Sequence, residues 1–404
     1  MERRAAVALL TPRPPYPWDG GSKRILTLAR LNKGRFRFVL LTFRPEVRSP
    51  AEAAADLRDE REHLAPVFDR VVWVEPPSGP GQASVDGFGL PRDARRFYSP
   101  AMDLALADTV REESCRLVHV EYDLMAVYGR KRLGVPSLLT QHDAGGLSLT
   151  CSYFRESAGW RGLLAAPDWL RRINLMRRAG AWFDRVVVTT EEDRRDLSRL
   201  VIGERLRTVP TGVDLSHFRP DARRGPEGDL LVFVGHYPHF PNEDAVVRFA
   251  DRILPRILSR RPGVRVLVVG SRPTEAVLAA ARRHPELEVT GAVPDVRPVL
   301  ARASVFIAPI RLGRGIKGKV LEAFAMGLPV VASSRAAAGI DAAEGRDLLV
   351  ARTDSGFADE VVRLLESPAL RSAVGEAGRA RASALYDWGP CSQRLSEVYD
   401  ELIG

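Results

Sequence analysis

Glycines and basic side chains alternate within one short stretch of the chain, residues 304–333, which begins and ends with apolar runs. The pattern predicts a buried strand over 305–310, a short helix over 318–326 and a second strand over 329–332. A helix that begins without a cap carries unpaired N–H groups and a partial positive charge, so it attracts an anion. The chain has only five lysines, and two of them lie here. The cations that line this predicted phosphate or diphosphate site are Arg311, Arg314, Lys317 and Lys319.

The glycines of this loop fit two well-known nucleotide-binding patterns. Gly313, Gly315 and Gly318 match the dinucleotide fingerprint, but that motif normally opens a domain and roughly 300 residues precede it here. Gly313, Gly318 and Lys319 match a P-loop, yet Val320 stands where a hydroxyl is needed to hold Mg²⁺. Each match lacks a residue that its function needs, because Arg335 rather than an acid follows the next strand and no hydroxyl follows Lys319.

Glu322, the one acidic side chain of the predicted helix, offers a third interpretation. Its carboxylate lies one turn into the helix, where it could accept hydrogen bonds from a ribose beside an anchored diphosphate. The alternative without a ligand is that Glu322 and the basic residues form an ordinary solvated helix edge.

The run GRGIKGKVLEAFAMGLPVVAS resembles the donor-site segment of retaining glycosyltransferases of the GT-B fold, the group 1 or family-four-like set. It is most similar to the branch whose loop reads G-x-G-I-K-x-K-V-L-E-A. The resemblance implies that Glu322 binds the ribose hydroxyls of a nucleotide sugar. Many relatives carry a second glutamate where this chain has Arg314, which leaves the contact with the donor sugar open. The implied donor-binding residues are Gly20, Gly21, His236, Arg311, Arg314, Gly315, Ile316, Lys317, Gly318, Lys319, Val320 and Glu322.

The resemblance extends more weakly to loops of the first half. The pattern P-x-P-P…G-G-S-x-R contains Gly20 and Gly21 and is similar to a glycine loop that faces the donor; an ordinary turn is the alternative. His142 follows a predicted strand and resembles a histidine that meets the donor sugar or its phosphate; the alternative is a polar loop histidine. The implied catalytic residues are His142, Arg311 and Lys319, and the candidate acceptor-binding residues are Glu121, Tyr122 and Asp143.

Strands and helices alternate along the whole chain, which predicts an α/β protein with parallel sheets. A length of 404 residues favours two domains. With the resemblance, we expect the GT-B architecture, two Rossmann-like doubly wound domains facing across a cleft. The expected parts are an acceptor-binding domain (1–215), a linker (216–229), a nucleotide-sugar-binding domain (230–385) and a C-terminal helix that crosses back (386–404). Residues 74–99, rich in Pro, Gly and Ser, are expected to form a loop.

Composition restricts the partners. The formal net charge of +9 favours anionic ligands or an anionic surface. The sequence has no zinc-ligand spacing and no aromatic-basic motif of the kind that recognises nucleic acid, so nucleic acid is not an expected partner. A helical segment before residue 183 combines aromatic and basic residues, which indicates either peripheral contact with an anionic membrane or ordinary core packing.

The amino terminus and the cysteines indicate the compartment. Three widely spaced cysteines predict no disulfide framework. The apolar run near the amino terminus is short and ends at Pro12, and no run of 18 apolar residues occurs. We therefore expect a cytoplasmic protein, with the inner membrane face as the place of any peripheral contact.

The predicted reaction is sugar transfer from a nucleoside diphosphate sugar to a hydroxyl of a glycan, a lipid-linked glycan or a small molecule, with retention. The basic loop would stabilise the departing diphosphate, so we expect no metal and no cofactor besides the donor. A nucleotide-sugar epimerase and a non-catalytic nucleotide-sugar-binding relative remain as alternatives.

Overall fold

The computed structural model describes most of the chain. The described residues are 4–17, 19–46, 49–77, 84–85, 88–142, 160–221, 225–313 and 315–404. The chain divides into two compact units, the first formed by Met1–Pro210 with Cys391–Gly404 and the second by Thr211–Pro390. The predicted site residues Asp143 and Arg314 lie outside the described residues.

The first unit is built on a sheet of seven parallel strands. The strands of this unit are β1 (Ala5–Thr11), β2 (Phe36–Phe43), β3 (Arg70–Val74), β4 (Ser84–Val85), β5 (Phe88–Gly89), β6 (Cys115–Glu121), β7 (Ser137–Gln141), β8 (Arg185–Val188) and β9 (Leu206–Thr208). The sheet order is β3-β2-β1-β6-β7-β8-β9, while β4 and β5 pair as a short antiparallel ribbon. The central strands β1 and β2 are buried at all but one position each, as expected for strands covered on both faces.

Helices connect the strands of this sheet. They are α1 (Gly20–Asn32), α2 (Pro50–Asp59), α3 (Arg92–Arg95), α4 (Pro100–Glu112), α5 (Trp160–Trp182) and α6 (Glu191–Leu197). A π-helical turn, Glu60–Leu64, extends α2, and a 3₁₀ helix, Asp123–Arg130, follows β6. At the start of α1, the Asp19 carboxylate accepts a hydrogen bond from the Ser22 N–H at 2.9 Å, which fixes where the helix begins.

The second unit repeats the pattern with six parallel strands. They are β10 (Leu230–Val234), β11 (Arg265–Val269), β12 (Leu287–Gly291), β13 (Val305–Ala308), β14 (Val330–Ser333) and β15 (Leu349–Ala351), in the sheet order β12-β11-β10-β13-β14-β15. The helices are α7 (Phe240–Arg248), α8 (Leu254–Leu258), α9 (Glu275–Arg283), α10 (Arg297–Leu300), α11 (Gly318–Ala325), α12 (Ser334–Ala337), α13 (Asp354–Glu366), α14 (Pro368–Leu385) and α15 (Trp388–Ile403). A π-helical turn, Phe249–Ile253, joins α7 to α8. From Cys391 onward, α15 belongs to the first unit.

Each sheet has one point where the strand order reverses. In the first unit β1 lies between β2 and β6, and in the second unit β10 lies between β11 and β13. Loops that leave neighbouring strands in opposite directions open a crevice at the carboxyl ends of those strands, which is where ligands bind in such sheets. Ligands are therefore expected at the loops after β1 and β6 and at those after β10 and β13.

The α/β class with two parallel sheets is confirmed. The prediction of a loop over residues 74–99 was wrong in part, because this segment contains β4, β5 and α3. Leu90 and Ala94 are buried there, and Pro91 stands just before α3, a position that suits proline. Within the described part of the chain, no helix is both long enough and apolar enough to cross a membrane.

Helix α14 packs closely on the turn that ends α11. A methyl group added at Gly375 would lie 2.2 Å from the Gly327 carbonyl oxygen, a distance that no real contact has. Arg379, one helical turn further, donates a hydrogen bond to the Ala325 carbonyl. The carboxyl end of α11 is thus held by backbone contact as well as by a side chain.

We predict that Gly375→Ala destabilises the protein by about 1–3 kcal/mol, because the new methyl group forces α14 away from the Gly327 turn. The direction of the change in stability is informative, because a Gly→Ala exchange inside an isolated helix stabilises that helix by about 1 kcal/mol. Gly389→Ala in α15 is the matched control: its new methyl group meets only Asp387, at 3.9 Å. Chemical denaturation of the two variants gives the comparison, and equal stabilities would contradict the proposed contact.

Candidate functional site

The loop between β13 and α11 leaves open space at the start of a helix. Gly313 and Gly315 adopt positive φ angles of 81° and 73°, which other residues rarely adopt. Helix α11 then begins at Gly318, and no side chain among the described residues caps it. A methyl group added at Gly318 would find no atom within 4 Å, so there is open space above the helix start. The first N–H groups of α11 therefore face a place that a phosphate could fill.

Lys319 places a cation beside this helix start. Its ammonium group donates a hydrogen bond to Asn242 Oδ1 at 2.6 Å and lies 4.6 Å from the centre of the Phe233 ring. Burial lowers the pKa of Lys319 to about 7, the Glu322 carboxylate opposes the shift and the Lys317 ammonium adds to it. A lysine in this state gains most from a ligand that brings negative charge.

The loops after β10 and β11 lie directly against each other. Gly270 has a φ of 143°, and a methyl group there would lie 1.7 Å from the Gly235 carbonyl oxygen, so only glycine fits. His236 Nδ1 lies 2.8 Å from Ser271 Oγ, and Asn242 donates to the His236 carbonyl at 2.8 Å. Through its side-chain nitrogen and oxygen, Asn242 thus links the loop after β10, which contains His236 and is called the histidine loop below, to Lys319.

His239, which the sequence reasoning did not consider, lies within electrostatic reach of Lys317 and Lys319. Partial desolvation lowers its pKa, and the charges of Lys319, Lys317 and His236 lower it further. Lys317, Lys319, His236 and His239 therefore lie close enough to influence one another electrostatically. A signal was present in the sequence, because His236 and His239 both follow the end of β10.

The remaining predicted residues of this loop have partners. Arg311 makes two hydrogen bonds with the Asp244 carboxylate, at 2.7 and 2.5 Å, and more than half of its side chain is exposed. Lys317 donates to the Gly315 carbonyl at 3.2 Å. Glu322 is partly buried on α11, within electrostatic reach of Lys319. Arg311 therefore lies in the loop with its charge already balanced by Asp244.

In the first unit, three predicted loops meet around His142. The His142 ring stacks on the Tyr122 ring, with centroids 4.1 Å apart and planes 14° apart. Its Nε2 lies 2.7 Å from a Glu121 carboxylate oxygen. A methyl group added at Gly21 would lie 2.3 Å from the Tyr122 hydroxyl and 3.3 Å from His142 Nδ1. Gly21 is therefore needed for the start of α1 to approach these rings.

The backbone at Tyr122 has an uncommon conformation. Its φ is 70°, in a region where residues other than glycine are rare. Strain of this kind persists where surrounding contacts enforce it, and it is concentrated at functional sites. Burial raises the pKa of the Tyr122 hydroxyl, which therefore stays protonated as a hydrogen-bond donor.

Comparison with known proteins identifies the family of this chain. The model of the Glycosyltransferase Family 4 matches residues 18–217, and that of the Glycosyl transferases group 1 matches residues 228–367. The D-inositol 3-phosphate glycosyltransferase of Kineococcus radiotolerans is 33% identical over 71% of this chain and 72% of its own length. A similar protein from Mycolicibacterium paratuberculosis is 30% identical, over 71% of this chain and 67% of its own.

Solved structures show the same fold at low sequence identity. A sucrose-phosphate synthase from Thermosynechococcus elongatus aligns with a TM-score of 0.72, 17% identity and coverage of 99% of both chains. The Anabaena protein HepE, solved in complex with UDP, aligns with a TM-score of 0.71 and 12% identity, over 98% of this chain and 100% of its own. By the two family models and the relative that is 33% identical, the chain belongs to the group 1, family-four glycosyltransferases, and it is an enzyme of the GT-B fold that transfers a sugar from a nucleotide sugar.

Proposed function

We propose that the second unit of this glycosyltransferase holds the diphosphate of the donor at the start of α11, and that the sugar passes to a hydroxyl acceptor with retention at the anomeric carbon. The observation that carries the proposal is the uncapped start of α11 with the Lys319 ammonium beside it. A helix N-terminus and a partly desolvated ammonium both favour negative charge. A diphosphate supplies this negative charge.

The proposed chemistry uses this charge in the transition state. The bond between the anomeric carbon and the diphosphate oxygen breaks, and its electron pair stays on the diphosphate. The acceptor oxygen forms the new bond on the same face, and its proton passes to the leaving diphosphate or to solvent. Lys319, Lys317 and the α11 N–H groups stabilise the growing charge, so the proposed reaction needs no metal.

The other predicted residues take their roles around this anchor. Glu322, one turn along α11, accepts hydrogen bonds from the ribose hydroxyls of the donor. In the first unit His142 is the proposed partner of the donor sugar or its phosphate, and Tyr122 bounds the proposed acceptor side. Arg311 contributes to the donor loop through its pairing with Asp244, which holds the loop against α7.

For the acceptor we propose a hydroxyl of a phosphorylated or lipid-linked polyol. Its support is that relatives are named D-inositol 3-phosphate glycosyltransferase and phosphatidyl-myo-inositol mannosyltransferase. The net charge of +9 suits a negatively charged acceptor of either kind. Peripheral contact with an anionic membrane is part of the proposal only for a lipid acceptor.

The proposal is tested by turnover with a panel of UDP, GDP and ADP sugars, in EDTA, with inositol phosphate, phosphatidylinositol vesicles or no acceptor. We expect a glycosylated product from one donor and one acceptor, and full activity in EDTA. An altered sugar nucleotide without acceptor would instead indicate an epimerase. Binding without turnover across the panel would indicate a non-catalytic relative, and loss of activity in EDTA would contradict metal independence.

Replacing Lys319 tests the proposed diphosphate contact. We predict that Lys319→Met lowers kcat by about 10²–10³, the usual effect of removing one preorganised electrostatic donor. The melting temperature should stay close to that of the parent protein, because the variant no longer buries an ammonium group. Lys33→Met is the control: this exposed lysine of the first unit donates to the Pro66 carbonyl, and its loss should leave kcat unchanged. A kcat of Lys319→Met near the parent value would remove Lys319 from the site.

The lowered pKa of Lys319 predicts a proton uptake on ligand binding. At pH 8 a group with a pKa of about 7 is mostly neutral in the free protein. A bound diphosphate stabilises the ammonium and raises its pKa, so binding takes up close to one proton and weakens as the pH rises above about 7. Calorimetry of UDP or GDP binding in buffers of different ionisation enthalpy measures the uptake. Lys319→Met should abolish it, and an uptake that persists in this variant would assign the proton elsewhere.

A further inference from the structure

We propose that Glu121 is a positioning residue for His142, fixing the tautomer and the orientation of its ring, rather than a residue that contacts the acceptor. The proposal deepens the proposed function, because it rests on the role of His142 at the donor. Glu121, a buried carboxylate of the first unit, then influences the reaction through His142 without touching the substrate.

Strand pairing places the two groups together. Glu121 is the last residue of β6, and His142 directly follows Gln141, the last residue of β7. The register pairs Glu121 with Thr140, so the two side chains emerge at the same edge of the sheet. The resulting distance between Glu121 Oε2 and His142 Nε2 is 2.7 Å.

The Glu121 carboxylate lies behind the histidine, away from solvent. Only 2% of its side chain is exposed, against 12% for His142. An acceptor substrate would have to displace the imidazole to reach it. The carboxylate lies at hydrogen-bond distance from His142, and this is the geometry by which a second residue orients a functional histidine.

An ionised carboxylate can only accept hydrogen bonds, so it selects the tautomer of its partner. Nε2 of His142 must carry the hydrogen that Glu121 accepts. Nδ1 then points toward Gly21 at the start of α1, where a methyl group would lie 3.3 Å from it. The imidazole is therefore held by the stacking of one ring face on Tyr122 and by the contact of Nε2 with Glu121.

Neighbouring groups keep Glu121 ionised. Burial raises the pKa of Glu121, but the hydrogen bond with His142 and the charge of Arg24 act in the opposite direction, and the pKa is lowered overall. Arg24 is fully buried on α1, where it donates to the Val209 carbonyl at 2.9 Å. A carboxylate kept charged in this way holds the hydrogen on His142 Nε2 more firmly than a neutral partner would.

A second histidine supports Glu121 from behind. His119 Nε2 lies 3.5 Å from Glu121 Oε1 and 2.7 Å from Thr140 Oγ1, and its Nδ1 lies 2.7 Å from the Tyr399 hydroxyl of α15. Burial lowers the pKa of His119 to about 4, so it is neutral at physiological pH. The hydrogen bonds to Thr140 and Tyr399 hold His119 in place, and His119 adds no charge beside Glu121.

Glu121→Gln tests the proposal, since it keeps the size of the side chain and lets the new amide either donate or accept. In the parent protein we expect ¹⁵N NMR of the histidine rings to show His142, identified by loss of its signals in His142→Gln, with hydrogen on Nε2. In Glu121→Gln we expect the Nδ1–H tautomer to become populated and kcat to fall about 10–100-fold, with the donor KM nearly unchanged. Unchanged ring signals would overturn the proposal.

Tyr399→Phe is the matched control, because it also removes one buried hydrogen bond of this cluster but leaves the pair of Glu121 and His142 intact. It should lower stability without changing the His142 signals. A double-mutant cycle separates positioning from a general structural role: in the His142→Gln background, Glu121→Gln should lower kcat no further. An equal loss of kcat in both backgrounds would refute the assignment. The ring signals are read without turnover, so they remain informative if the proposed reaction itself fails.

Discussion

Positive charge held close to an apolar core is the constraint on which the site of the second unit depends. An ammonium group loses hydration when it is partly buried, and Lys319 responds with a pKa of about 7. The α11 helix start adds N–H groups that no described side chain caps. Both features cost stability in the free protein, and a bound anion offsets both. An arrangement that is unfavourable alone and favourable with a ligand is what a binding site requires.

In the first unit, close contacts restrain the ring of His142. The polar side chains of this site come from the ends of β6 and β7 and from the start of α1, three elements that meet at the reversal of the strand order. A buried carboxylate is tolerated there because Arg24 and two histidines surround it. The strained backbone at Tyr122 brings an aromatic ring against the imidazole. Rigidity, rather than charge, is the property built into this site.

Close backbone contacts support the loops of the second unit. Gly270 lets the loop after β11 lie directly against Gly235, and the histidine loop after β10 is tied to Lys319 through Asn242. At the far end of α11, Gly375 brings α14 against Gly327. Such contacts leave little freedom at either end of the helix whose start is proposed to bind the diphosphate. The position of its N–H groups is therefore defined before any ligand arrives.

Much of this protein could be predicted from its sequence, because the relevant signals are local. Apolar runs of strand length, separated by helical patterns, predict two parallel sheets, and the Gly-Arg-Lys loop before Glu322 predicts the anion site and the family resemblance. Other features depend on residues distant in the chain. The pairing of Arg311 with Asp244, the hydrogen bond of Lys319 to Asn242 and the burial of Glu121 beneath His142 arise only when separate loops meet at a sheet edge. The sequence determined which side chains reach the carboxyl ends of the strands. The tertiary structure decided which of these side chains neutralise one another. Such pairing depends on distances between strands, and no local sequence pattern encodes those distances.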